Sequence, residues 1–236
     1  MIEKTLAMTR TTARWRPFIC HPERNRRSPA VFFLMDAYGI REELKDMARR
    51  LGTVGYYVLL PNLYYRAGRD TIYGPDVQQE GSAEHQRMRA VRTKMTIPPV
   101  MDDIGAMLAF AEQQKEVKRG AVGCHGYCMS GPYALAAAAR YPERISAAAS
   151  FYGTWLVSEA EESPHLSLGR LKVSSILLAP STTTWRHCRW WKSCAPCSGG
   201  PAPPVRSNSI QEFITVSRFR NVGVTTSRPP SATGSG

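Results

Sequence analysis

The chain has 236 residues, with 31 Lys and Arg against 19 Asp and Glu, a formal charge of +12. No apolar run approaches the ~18–20 residues of a membrane span, and up to residue 172 acidic side chains are interleaved with the basic ones, which argues against nucleic acid and membrane as partners. Six cysteines at 20, 124, 128, 188, 194 and 197, with no apolar leader in the first 20 residues, predict reduced thiols and a cytoplasmic setting.

Residues 1–29 are basic and poorly patterned. Residues 30–35 (Ala-Val-Phe-Phe-Leu-Met) form a continuous apolar run, the pattern of a strand buried on both faces. Asp36-Ala37-Tyr38-Gly39 ends it as a polar loop, and residues 41–51 place Leu44, Met47, Ala48 and Leu51 on one helical stripe. Residues 55–60 predict the next strand, closed by Pro61-Asn62. Strand, helix and strand in about 30 residues make a βαβ unit and so a parallel sheet. Residues 64–99 read as a polar excursion, lid or loop, with a helix within 81–94. Residues 101–114 read as a helix with Ile104, Met107, Leu108 and Ala111 on one face.

Residues 121–124 predict a short buried strand, and the Ala-rich stretch 133–140 predicts a helix. Between them Gly126-Tyr127-Cys128-Met129-Ser130-Gly131 must turn sharply, the layout of a nucleophile elbow that lifts one side chain above a sheet. The lifted residue is Cys128, and a helix N-terminus is expected to lower the pKa of such a thiol. A buried structural cysteine in a Gly-rich turn is the other reading of this motif. Residues 145–152 predict a further strand. The whole pattern is a doubly wound α/β sheet with four loops at the carboxyl ends of its strands: 36–39, 61–65, 126–129 and 152–155.

After Lys172 the character changes. Of the 64 residues from 173 to 236, 30 are Ser, Thr, Pro or Gly, and seven Lys and Arg face one acid, Glu212. Only 173–179 resembles a strand. The expected division is a core over 1–172 and an off-pattern, poorly ordered tail over 173–236. His187-Cys188 with Cys194 and Cys197 supplies one CxxC and no second pair, so neither a metal nor another cofactor is predicted.

From Phe18 to about Lys172 the chain resembles the dienelactone hydrolase family, through residues 126–131, 36–39, 56–66 and 141–153. The resemblance implies an α/β-hydrolase-type doubly wound, mostly parallel sheet, incomplete here at its C-terminal end. It also implies cleavage of a small-molecule ester or lactone by a Cys-Asp-His triad. Carried over, Cys128 is the nucleophile, and the backbone N–H groups of Ala37 and Met129 form the oxyanion hole. Asp36 stands where the family often has a Glu that modulates the nucleophile, and Ser130 where the elbow often has Gly.

In this fold the acid and the base follow the nucleophile. No Asp follows Cys128, and the only later histidines are His165 and His187. The chain as written is therefore expected to be impaired. A non-catalytic α/β-hydrolase-like small-molecule-binding protein is the alternative. The genetic code suggests why the triad is missing. Joining each codon's third base to the first two of the next gives a frame that, after Lys172, can read Glu-His-Asp-Asp and later Pro-Gly-Val-His-His-Gly-Phe. Such strings are what the family uses for its Asp and His. Residues 173–236 thus read as a frameshifted translation of a hydrolase gene.

Overall fold

A computed structural model describes residues 1–5, 8–10, 13–68, 73–156, 158–167, 171, 175–179 and 214–216. Numbered along the chain, the strands of its eight-stranded sheet lie in the order β1 (Ile2–Thr5), β4 (Phe18–His21), β6 (Tyr57–Leu60), β5 (Ala30–Leu34), β7 (Val122–Tyr127), β8 (Ile145–Phe151), β9 (Ser175–Ala179), β10 (Ile214–Val216). A separate antiparallel pair joins β2 (Met8–Arg10) to β3 (Ala13–Trp15). The five strands from β6 to β9 are parallel, while β4 is antiparallel to both its neighbours and β10 is antiparallel to β9.

The centre is β5, where Phe32, Phe33 and Leu34 are fully buried. The chain leaves β5 through helix α1 (Glu42–Thr53) to β6 on one side. It then returns past β5 to β7 through helices α2 (Ala83–Arg92) and α3 (Ile97–Gln113), and continues through α4 (Gly131–Arg140) to β8. Right-handed crossovers require that α1 lie on one face and α3 and α4 on the other, and α3 packs against α4. The reversal between β5 and β7 is a topological switch point, where the carboxyl ends of the strands open a crevice.

Several expectations need correction at their edges. β4 was not legible in the basic N-terminal stretch, because only four residues separate Pro17 from Pro22; yet Ile19, Cys20 and His21 are buried. Pro98 and Pro99 do not belong to a loop; they lie in the first turn of α3, where a missing N–H costs nothing. β7 runs three residues further than its apolar start, since His125 packs in an aromatic cluster with Phe33, Tyr127 and Phe151. β9, by contrast, falls within the strand-like run 173–179, and β10 pairs with it. The remainder of 173–236, and with it the expected poor order of the tail and the His187, Cys188, Cys194 and Cys197 group, lies outside the described residues.

Coverage is uneven. Val122, Cys124 and Gly126 of β7 are buried on the α4 side, whereas Gly123, His125 and Tyr127 on the other face are only half-buried, as are Ala147, Ala149 and Phe151 of β8. Among the described residues, α1 covers β4 and β6 and stops short of this face.

One buried carboxylate ties the excursion after β6 to α3. Asp103, 0 % exposed, accepts from Arg66 Nη1 and Nη2, both at 2.8 Å, and from the Tyr65 hydroxyl at 2.9 Å. Arg66 is 36 % exposed and regains water on truncation, so the loss is that of the hydrogen bonds to the buried carboxylate. Asp103→Ala is expected to lower unfolding free energy by about 1–2 kcal/mol, read as a shifted urea midpoint with unchanged slope. A shift below about 0.5 kcal/mol contradicts this role.

Candidate active site

The turn between β7 and α4 is built by close approach. A side chain at Gly126 would collide with the backbone carbonyl of Ser130, and one at Gly131 with Ser150 Oγ and Gly153 Cα. Only glycine fits either place, so the chain can fold back on itself directly after the strand. Cys128, between them, has φ of +51°, a left-handed conformation costly for a residue with a Cβ. Tyr152 (φ +53°) and Trp155 (φ +55°), in the loop after β8, are the other non-glycine residues so strained among those described. All three lie at one rim of the sheet, two of them in the loop whose Thr154 N–H donates to the Cys128 carbonyl at 3.1 Å.

The Cys128 thiol is half-buried, and its pKa is raised above the ordinary 9.0, chiefly by desolvation. The Met129 backbone N–H and the Arg92 guanidinium both pull the other way, and Asp36 adds an upward push. The expected lowering is therefore reversed. A single 3₁₀ turn, Cys128–Ser130, separates the sulfur from α4, so burial outweighs the helix terminus.

The expected oxyanion-hole residues come together on the same rim. The loop after β5 is tied to the elbow by Ser130 Oγ, which donates to the Met35 carbonyl. Asp36 is fully engaged: its two oxygens accept from Arg41 Nη1 and Nη2 at 2.8 and 2.9 Å, and Oδ1 also accepts from Tyr38 N–H at 2.9 Å. Buried Tyr64 donates toward the Ala37 carbonyl at 3.0 Å and the Met129 sulfur at 3.1 Å.

Arg92 is the rim residue that sequence reasoning missed. It ends α2, whose start is capped by Ser82 Oγ accepting from His85 N–H at 3.0 Å. Its guanidinium lies 3.7 Å from the centroid of the Trp155 ring, and its buried Nε has no partner among the described residues. A lone Arg in a polar stretch gives no periodic or motif signal that could have singled it out.

Histidines are placed elsewhere. His165 sits on α5 (Pro164–Ser167), its Nδ1 2.7 Å from Ser163 Oγ. Both ring nitrogens of His125 are buried without a hydrogen-bond partner among the described residues, and desolvation pushes its pKa down to about 4. Among the described residues no imidazole hydrogen-bonds the Cys128 sulfur, and no group of three or more His, Cys, Asp and Glu could hold a metal. No described helix is long and apolar enough to cross a membrane. A basic cleft lined by Arg24, Arg26, Arg27 and Lys118 lies at the opposite end of the strands.

An open α/β sheet with strand order β1-β4-β6-β5-β7-β8-β9-β10 and a strained cysteine after its central parallel strands defines an α/β-hydrolase-type fold. The sequence profile of the dienelactone hydrolase family matches residues 16–171, and the chain belongs to that family. It is 31% identical over 125 residues to a carboxymethylenebutenolidase-type protein of Methylorubrum extorquens, covering 53% of this chain and 40% of that one. To the carboxymethylenebutenolidase of Pseudomonas putida it is 24% identical over 140 residues, 59% of this chain and 56% of the other. The chain thus spans about half the length of the curated relatives it matches. Among solved structures, a dienelactone-hydrolase-type protein of Klebsiella pneumoniae aligns with a TM-score of 0.61 at 19% identity, over 74% of this chain and 70% of that one, a likeness of fold.

Thiol reactivity tests this placement. Cys20 and Cys124 are buried, with pKa values pushed up to about 12, chiefly by desolvation. Iodoacetamide should therefore alkylate Cys128 ahead of Cys20 and Cys124 in the folded protein. Because the Cys128 pKa lies above 9.0, its rate should still climb with pH past 9, by ~tenfold per unit while the thiol stays mostly protonated. A rate that levels off below pH 8.5, or Cys20 and Cys124 reacting as fast, contradicts it.

Proposed function

We propose that residues 1–172 are the core of a hydrolase that opens a small lactone or ester through Cys128. The observation that carries the reading is the +51° φ of Cys128 in a turn that only Gly126 and Gly131 allow, tied to the β5 loop by Ser130 on the Met35 carbonyl. Such a turn suits an attacked carbonyl oxygen that swings toward the Met129 N–H. In the step itself the Cys128 thiolate attacks the carbonyl carbon and a C–S bond forms. The electron pair moves to the carbonyl oxygen, where the N–H groups of Ala37 and Met129 receive it. Collapse breaks the C–O bond, and the departing oxygen takes a proton from water, leaving an acyl thioester.

The substrate class follows from Arg92. A guanidinium with a free buried Nε at the rim suits a substrate that carries a carboxylate besides its ester bond. The Pseudomonas putida relative is named for such a compound, a butenolide with a carboxymethylene group. Asp36, whose oxygens are taken by Arg41 and Tyr38, acts on the nucleophile through charge alone, disfavouring the thiolate. The three thiols Cys20, Cys124 and Cys128 are free, which fits a reducing, cytoplasmic setting.

Without an Asp-His pair the acyl thioester should form but clear slowly. With p-nitrophenyl acetate the chain should give a burst of about one equivalent per Cys128, followed by slow turnover, and Cys128→Ala should remove the burst. Continuing the shifted frame after Lys172 should restore the base and raise turnover by roughly 10³-fold or more. Rapid turnover by the unaltered chain contradicts the impairment. No burst from a folded chain that still binds carboxylated lactones favours the non-catalytic binding protein.

A further inference from the structure

Tyr64 is 0 % exposed, with its backbone N–H donating to Asn62 Oδ1 at 2.9 Å. Burial pushes its phenol well above the ordinary value, which keeps the hydroxyl a donor. That hydroxyl lies 3.0 Å from the Ala37 carbonyl and 3.1 Å from the Met129 sulfur. The two residues it touches are 92 positions apart in the chain (37 and 129), and they are the two whose N–H groups would hold the oxyanion.

The peptide that joins Ala37 to Tyr38 is held at both ends. Its carbonyl accepts from Tyr64, and its N–H donates to Asp36 Oδ1 at 2.9 Å. Asp36 is in turn fixed by the bidentate bond to Arg41. A peptide clamped on both sides cannot rotate, and a neighbouring N–H cannot then swing away without breaking one of these bonds. The Met129 side chain is pinned by the same hydroxyl, on the other side of the gap.

We infer that Tyr64 is a positioning residue that sets the separation and aim of the Ala37 and Met129 N–H groups. The inference rests on the acyl-transfer reading of the site. It predicts a selective defect. Acylation passes through a tetrahedral oxyanion, whereas alkylation by iodoacetamide is a displacement at carbon that forms none. Both need the Cys128 thiolate, so the quotient of the two rate constants cancels thiolate fraction and access.

The experiment measures acetylation by p-nitrophenyl acetate and alkylation by iodoacetamide at one pH, each followed on the Cys128 peptide by mass spectrometry. Tyr64→Phe should lower the quotient about tenfold, less than the 10²–10³ cost of deleting a donor outright. Met129→Leu keeps the N–H and removes the sulfur contact; it should lower the quotient about threefold by the same mechanism, and it decides the matter should Tyr64→Phe fail to fold. Tyr73→Phe is the control: this ring stands edge-on to Tyr64 at 6.0 Å, and its buried hydroxyl has no partner among the described residues. Its quotient should match that of the parent chain. A quotient within twofold of the parent in both Tyr64→Phe and Met129→Leu overturns the inference, as does an equal fall in Tyr73→Phe. Failure of the parent itself to acetylate faster than a simple thiol of matched pKa is a different result, which overturns the acyl-transfer reading and this inference with it.

Discussion

The rim of this sheet depends on how closely the Ser130 carbonyl passes the backbone of Gly126. That approach excludes any side chain at 126, and within the tight turn that follows, Cys128 adopts the left-handed conformation. A left-handed cysteine costs of order 1–3 kcal/mol. The cost is offset where the turn is over-determined: by Ser130 on Met35, by Thr154 on the Cys128 carbonyl, and by the packing of Gly131 against Gly153. The strain and its supports place one thiol, two loops and the first turn of α4 in fixed relation before any substrate arrives.

Electrostatics at the same place run against the thiolate. Desolvation is the largest influence on Cys128, and Asp36 adds to it, while Arg92 and the Met129 N–H offset only part. A buried thiol that stays protonated near neutrality is stable and slow. An acyl-transfer enzyme makes it reactive on demand with an adjacent base that takes the proton during attack. The described residues hold the elbow and the β5 loop together but place no such base at the sulfur. His165 bonds to Ser163, and His125 is locked in its aromatic cluster. The same stretch that should carry acid and base should also cover the second face of β7 and β8, which is half-exposed at Tyr127 and Phe151. Among the described residues, neither an acid–base pair at Cys128 nor a layer over that face is found.

Much of the fold was legible because its signals are local. The runs at 30–35 and 57–60 are apolar enough to be strands buried on both faces, and Leu44 and Ala48 mark the buried stripe of α1. The elbow was legible because Gly126 and Gly131 bracket a cysteine where a strand meets an Ala-rich helix. What was not legible is non-local. β4 is four residues long and owes its existence to pairing with β1 and β6. Tyr64 and Arg92 carry no motif of their own; they matter because the folded chain brings them to Ala37, Met129 and Trp155. The sign of the Cys128 shift was misjudged because a helix terminus can be seen in a sequence and desolvation cannot.

The central claim is that elbow and β5 loop together aim two backbone N–H groups at one point above the Cys128 sulfur. A crystal structure of the chain acylated by a small β-lactone tests it most directly, since slow deacylation should let the thioester persist. The account predicts an acyl group on Cys128 alone, with its carbonyl oxygen about 3 Å from the N–H of both Ala37 and Met129. A carbonyl oxygen turned to solvent, or bonded to neither N–H, would contradict it.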